Sequence, residues 1–226
     1  FNSLNNMSFL DKKLHQQYLA FNKEFYESAS KYHPTSEQIK LIYKDIPLNY
    51  VYNYENLWFY LQPQHLDLPL QGWKIHISAI TENKSEILKT VAKICFSKNL
   101  SFKFLADEID FRILANKMIN RGSSNKFITI YPINEKEFKD VIEILYEKLK
   151  DYNGPYILSD LRYKDCKVLY YRYGGIRKYE VLTFMGEKDL RIIDPNGNEI
   201  EDRRVAYWNP PYWIKDPFQI DETSNV

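Results

Sequence analysis

The sequence predicts an α+β domain, one compact unit in which helices pack on a mixed or antiparallel sheet. Three observations carry that expectation: apolar residues recur at helical spacing in four separate stretches, strict alternation marks short strands between them, and the rear half is strand-rich with no internal repeat. At 226 residues, 44% of them hydrophobic, the chain can bury roughly 70% of the surface of its extended form, so one core suffices.

The elements follow in order. Leu10 to Ser28 carries Leu14, Tyr18, Phe21 and Phe25 at spacings of three and four, an amphipathic helix. A short apolar period at Ile39–Ile42 precedes the breaker Pro47. An aromatic stretch follows, Tyr50, Tyr52, Tyr54, Trp58, Phe59 and Tyr60, read as packing over one side of the core or as a surface for a peptide or neighbouring domain. Trp73 to Ala79 alternates as a strand: Trp73, Ile75, Ile77 and Ala79 face one way, Lys74, His76 and Ser78 the other. A helix over Lys84–Lys98 and a strand over Ser101–Leu105 complete a strand–helix–strand unit. A helix over Asp107–Ile119 leads to a polar turn at 120–125, and a strand at Lys126–Tyr131 stops at Pro132. Glu135 to Lys150 reads as a helix with Phe138, Val141, Ile142, Leu145 and Leu149 on its inner stripe. Strands are expected at Tyr156–Ser159, Lys167–Tyr173, Tyr179–Phe184 and Leu190–Ile193, with a turn at Asp194–Gly197. An aromatic, proline-rich tail around Pro210–Trp213 and Asp216–Phe218 suits packing across a surface.

Composition excludes several classes. No stretch approaches the ~20 apolar residues of a membrane span, and no signal peptide is visible. A net charge of +1, from 31 basic and 30 acidic residues, supplies no field for gripping a nucleic-acid backbone. Cys95 and Cys166 stand apart, without metal or disulfide spacing, which fits a reducing, cytoplasmic setting. HExxH, GxSxG, a P-loop and a Rossmann glycine run are all missing, so neither a metal nor a cofactor is expected.

What remains is a set of cations with one imidazole. Lys74 and His76, two apart on a strand, emerge from one face about 6.5–7 Å apart at the backbone. A hydrogen-bonded structural histidine fits as well as a functional one, but the lysine beside it calls for an anion, because crowded cations are costly unless answered. Lys103, between Phe102 and Phe104, is either an edge-strand lysine with its head in water or an amine held by an apolar wall as a general base. The run Arg121-Gly122-Ser123-Ser124-Asn125-Lys126 reads as an ordinary polar turn or as an oxyanion cradle, with backbone N–H groups and the Ser123 and Ser124 hydroxyls turned inward. Arg172, between Tyr171 and Tyr173, has its guanidinium fixed for phosphate by stacking, or makes a surface cation–π pair. Asp160, Arg162 and the triplet Asp202-Arg203-Arg204 could orient the site. Together these groups suit an anionic substrate whose bond breaks without a metal.

Gly72-Trp-Lys-Ile-His-Ile-Ser-Ala79, Phe102-Lys-Phe-Leu105, Arg121 through Pro132, Gly154 through Asp160, Tyr171-Arg-Tyr-Gly174, Asp202-Arg-Arg204 and Pro210-Pro-Tyr-Trp213, in this order, cover most of the chain. They resemble the N-terminal phosphoserine/phosphothreonine lyase domain of class III, and also class IV, lanthipeptide synthetases, which is similar to bacterial phosphothreonine lyase effectors. The resemblance implies a phosphothreonine-lyase-like fold, with residues 1–70 a helical and aromatic extension and 71–226 the catalytic core with its C-terminal packing segment. It implies metal-independent β-elimination of phosphate from a phosphorylated precursor peptide, giving dehydroalanine or dehydrobutyrine. By that resemblance Lys103 is the base for the Cα proton, His76 the acid for the departing phosphate, and Lys74 a stabiliser of developing charge. Arg121, Lys126 and Arg172 clamp phosphate, with Ser123, Ser124, Asp160, Arg162 and Tyr171 supporting. The implied partners are the precursor peptide and the kinase and cyclase domains of one bacterial synthetase, with no nucleic acid and no membrane. No kinase or cyclase motif follows within these residues, which implies an excised domain or a standalone lyase. The alternative is a noncatalytic phosphopeptide-binding or kinase-docking module.

Overall fold

Alternation in Gln71–Ile77 builds the strand on which the rest is organised, and its register settles which side chains meet. The computed structural model describes residues 36–55, 58–106, 125–177, 180–182, 188–203 and 205–219. The expected helices at Leu10–Ser28 and Asp107–Ile119 lie outside them. In chain order the elements are α1 (Glu37–Ile42), a 3-10 turn (Tyr43–Asp45), β1 (Tyr50–Glu55), β2 (Trp58–Pro63), β3 (Gln71–Ile77), α2 (Lys84–Ser97), β4 (Ser101–Leu105), β5 (Ile128–Tyr131), α3 (Glu135–Leu149), β6 (Leu161–Arg162), β7 (Leu169–Gly175), β8 (Glu180–Leu182), β9 (Lys188–Ile193) and β10 (Glu199–Glu201).

Seven strands form one sheet in the order β1-β2-β4-β5-β3-β7-β6, and β8, β9 and β10 form a smaller one. Every neighbouring pair is antiparallel. The architecture is thus the expected α+β, with an antiparallel sheet. Because β3 and β4 both run against β5, they are parallel to each other, and the β3–α2–β4 unit is a crossover with β5 inserted between its strands.

One face of the large sheet is apolar. Trp73, Ile75 and Ile77 from β3, Phe102 and Phe104 from β4, and Ile128 and Ile130 from β5 are all buried there. Each buried side chain of this size stabilises the fold by about 1.5–3 kcal/mol. Helix α3 offers Phe138, Val141, Ile142, Leu145 and Leu149 to that face, and Phe138 stacks on Trp73 at 5.5 Å. Its start is set by Asn134, whose side chain accepts from Glu137 N at 2.8 Å, with two acidic residues in the first turn to meet the helix dipole. Helix α2 buries Ile87, Leu88, Val91 and Cys95, the stripe read from the sequence. The tail packs across this side as expected: Trp208 stacks on Trp73 and Phe218 meets Phe138, Tyr163 and Tyr171.

The aromatic stretch from Tyr50 enters the sheet as the hairpin β1–β2, where Tyr50 and Phe59 join the core and Tyr52, Tyr54 and Trp58 pack against it. One segment differs from the sequence reading. Tyr156–Ser159 is not a strand: Ile157 is buried while Tyr156 and Leu158 are exposed, which imitates alternation, but the backbone turns, with Asp160 N donating to Ile157 O at 3.2 Å.

Candidate active site

The opposite face of the sheet is polar, and register alone assembles a row across it. Residues opposite one another on neighbouring strands share a face. Asn53 faces Tyr60, Tyr60 faces Lys103, Lys103 faces Thr129, Thr129 faces His76, His76 faces Tyr170 and Tyr170 faces Arg162. Lys74 lies opposite Arg172 in the adjacent row. Strands about 4.8 Å apart put the Lys103 and His76 backbones roughly 10 Å apart, with Thr129 between them.

His76 is buried, and its Nδ1 is hydrogen-bonded to Asp160 Oδ2. The other Asp160 oxygen accepts from Ser159 Oγ at 2.8 Å. In the neutral ring this bond keeps the proton on Nδ1 and leaves Nε2 with a lone pair. Burial pushes the imidazole down to about 3; Asp160 opposes the shift, while Lys126 and Lys74 reinforce it. Burial alone would raise the Asp160 carboxyl, but His76, Lys126 and the Ser159 hydroxyl together hold it below the usual carboxylate range.

Asp160 arrives on a loop pressed against the end of β3. Asn83 Nδ2 donates to Asn153 O at 2.7 Å and Asn125 Nδ2 to Tyr156 O at 3.1 Å. A Cβ at Gly154 would sit 2.7 Å from both Ser78 Oγ and Val168 Cγ1, so glycine is what lets the loop lie this close. Asn125, at φ +67°, turns the chain into β5 and brings in Lys126.

Cations dominate this face. Lys74, Lys126 and Arg172 are 6%, 8% and 5% exposed, and the buried carboxylates near them are Asp160 and Asp202. Lys74 Nζ donates to Gly175 O at 3.0 Å, and Arg172 Nη2 donates to Arg203 O at 2.6 Å while lying 3.9 Å from Asp202 Oδ1. Among the described residues these buried cations outnumber the buried carboxylates beside them, which favours an anion. Lys103, half-buried, holds its Nζ 4.3 Å from the Trp58 ring centre and 5.3 Å from that of Tyr60.

Of the residues singled out in the sequence, Lys74, His76, Lys103, Asp160 and Arg172 meet on this face; Lys126 is buried and acts electrostatically on His76 and Asp160. Arg162 shares the row but is exposed. Arg121, Ser123 and Ser124 lie outside the described residues. Tyr171 does not belong here. Neighbours on a strand point to opposite faces, so Tyr171 and Tyr173 turn away from Arg172 and cannot stack on it. Tyr171 instead packs against Trp73, Phe138 and Phe218 and donates to Asp216 Oδ1 at 2.6 Å. Thr129 was passed over because an isolated threonine in a strand carries no chemical signal; the register, once known, places it midway between Lys103 and His76.

Two clefts lie away from the row. One, of about 390 Å³, is lined by Trp73, Ile133 and Trp213 among others, and the second, of about 440 Å³, lies between α1 and α2. Among the described residues, no helix is long and apolar enough to cross a membrane, and no group of three His, Cys, Asp or Glu side chains is placed to hold a metal ion.

A family model described as RamC, N-terminal domain, matches residues 38–225. Probable SapB synthase of Streptomyces coelicolor is 36% identical over 160 residues, which are 71% of this chain and 17% of that protein. The chain therefore spans under a fifth of the length of this curated relative. Solved structures that overlap it include the phosphothreonine lyase SpvC from Salmonella, at TM-score 0.46 and 14% identity over 72% of this chain and 90% of that one. The type III effector and phosphothreonine lyase OspF from Shigella flexneri overlaps at TM-score 0.44 and 14% identity, again over 72% and 90% of the two chains.

Proposed function

This chain belongs to the RamC N-terminal domain family, and we propose that it acts as a phosphoserine/phosphothreonine lyase on a peptide. The observation that carries the reading is the row Lys103–Thr129–His76, with Asp160 behind the imidazole and buried Lys74, Lys126 and Arg172 around it. An amine and an imidazole stand on the two sides of Thr129 on one face of the sheet, and the cations beside them suit a phosphate.

In the step proposed, the neutral Lys103 amine takes the Cα proton and becomes an ammonium. The C–H electrons form the Cα–Cβ double bond, the Cβ–O bond breaks, and phosphate leaves with the bond pair. His76 supplies the proton that the leaving oxygen needs. Burial holds His76 neutral, so the ring must gain a proton as substrate arrives. A phosphate dianion beside Lys126 and Lys74 offsets the two charges that disfavour the imidazolium, and Asp160 is already placed to stabilise it.

The peptide is proposed to be a lanthipeptide precursor, phosphorylated by a kinase domain of the same synthetase and passed on to a cyclase domain. The reading rests on kinship with a relative whose name is that of a synthase and on that relative's greater length. The setting proposed is the bacterial cytoplasm.

Mass spectrometry of a phosphoserine peptide incubated with the protein tests the reaction. Elimination yields a product one water lighter than the unphosphorylated peptide, together with inorganic phosphate. Return of the unphosphorylated peptide would mean phosphatase chemistry, and binding without conversion would mean a recognition module.

A further inference from the structure

We propose that Asp202 is a positioning residue of this site, its carboxylate holding Lys74 and Arg172 where they meet the phosphate; the inference rests on the lyase reading above. Asp202 follows β10 and is fixed to the small sheet through its backbone N–H, which donates to Leu190 O at 2.8 Å. Its side chain reaches across to the large sheet. Oδ2 accepts from Gly175 N at 3.0 Å, and Lys74 Nζ donates to the carbonyl of that same Gly175 at 3.0 Å. The carboxylate and the ammonium therefore grip one residue of β7 by its two polar ends. Arg172, on the same strand, donates to Arg203 O at 2.6 Å with its Nη2 3.9 Å from Asp202 Oδ1. Arg172 thus meets the segment Asp202–Arg203 directly, and Lys74 meets it through Gly175.

Gly175 of β7 makes room for this. At its neighbour Gly174 a Cβ would stand in ordinary contact, 3.4 Å from both Lys74 Nζ and Asp202 Oδ1, which places that ammonium and carboxylate on two sides of one point. A Cβ on Gly175 would come within 3.1 Å of Asp202 Oδ2. Gly175 is not in the left-handed region, so its backbone angles suit other residues and what excludes a side chain is Asp202 itself. Among the described residues, Asp160 is hydrogen-bonded to His76, and Asp202 is the buried carboxylate beside Lys74 and Arg172. A long lysine and arginine held at both the stem and the head lose little freedom when phosphate arrives.

The test is steady-state kinetics of Asp202→Asn on a phosphoserine peptide, with the folded fraction measured by circular dichroism. The amide keeps an acceptor for Gly175 N–H but loses the charge. Expected are a KM no higher than that of the parent protein, since a negative charge beside the phosphate is gone, and a kcat lower by on the order of tenfold to a hundredfold, since the cations are no longer held in place. Gly175→Ala, which crowds the same carboxylate but keeps its charge, should likewise lower kcat. Parent-level kcat in folded Asp202→Asn protein overturns the proposal. If Asp202→Asn does not fold, parent-level kcat in folded Gly175→Ala overturns it instead. If the parent protein itself eliminates nothing, the lyase reading fails separately, and titration with the phosphopeptide decides: tighter binding by Asp202→Asn supports the positioning role, and unchanged affinity overturns it.

Discussion

Lys103 and His76 stand opposite the same residue, Thr129, from its two neighbouring strands, so an amine and an imidazole share one face with a single strand between them. No short motif could bring them together: they are separated by the helix α2, and the strand that joins them comes later in the chain than either. The pairing is a product of the crossover, in which β5 inserts between β3 and β4.

Replacing either partner should slow turnover sharply, and for Lys103 it should spare the fold. Lys103→Ala and His76→Ala are each expected to slow elimination by on the order of 10² to 10⁴, the usual loss when a proton-transfer group is removed. The measurement is the initial rate of phosphate release from a phosphoserine peptide. Lys103 is half-buried beside Trp58 and Tyr60 rather than part of the apolar core, and the thermal midpoint should move little on its truncation. A Lys103→Ala protein of undiminished rate would remove the amine from the mechanism.

Stability should fall on acidification in a window that His76 defines. Its folded pKa, about 3, lies below the ordinary 6.5, so between those values the unfolded chain takes up a proton that the folded chain refuses. Stability is therefore full above pH 6.5 and declines as the pH drops toward 3. Asp160, also depressed, adds a further loss below its ordinary 3.8, where the unfolded carboxyl is protonated first. Urea unfolding at a series of pH values measures both. His76→Gln, which cannot titrate, should flatten the upper part of the curve.

How far the sequence led can be judged on particular residues. The faces of β3 and β4 were legible because alternation is a local signal, and Lys74, His76 and Lys103 fell on the polar side as expected. The helical stripes of α2 and α3 were legible for the same reason. Register is not local. Thr129 lacked a signal until its partners were known, and the bond between His76 and Asp160 joins residues 84 apart in sequence. Tyr171 misled because its neighbour Arg172 was taken to share its surroundings, whereas adjacent strand residues part to opposite faces. The segment Tyr156–Ser159 misled because Tyr-Ile-Leu is a short apolar run of the kind strands use, and such a run does not reveal that the backbone turns.

Asp160→Asn separates orientation from charge. The amide can still meet His76 Nδ1, but it cannot stabilise an imidazolium, so the proton that phosphate binding should draw onto the ring is held less well. The expected outcome is a kcat reduced by roughly 10² with a smaller change in KM. Combined with His76→Ala, the second substitution should add little, because the two residues act as one unit. Multiplicative losses in the double variant would mean that Asp160 serves the site independently of His76.

Gly154→Ala tests whether loop position sets the rate. The added methyl would meet Ser78 Oγ and Val168 Cγ1 at 2.7 Å, closer than side chains tolerate, and both neighbours are buried and cannot swing away. The loop must then lift from β3, and Asp160 lifts with it, six residues on. Overpacking of this kind costs about 1–3 kcal/mol, so the thermal midpoint should fall by several degrees. The rate should fall further than the folded fraction explains, because a small displacement of Asp160 breaks its bond to His76. Calorimetry and phosphate release on the same sample read the two effects separately. Loss of stability at an unchanged rate per folded molecule would show that the loop holds the fold alone and leaves the imidazole to other partners.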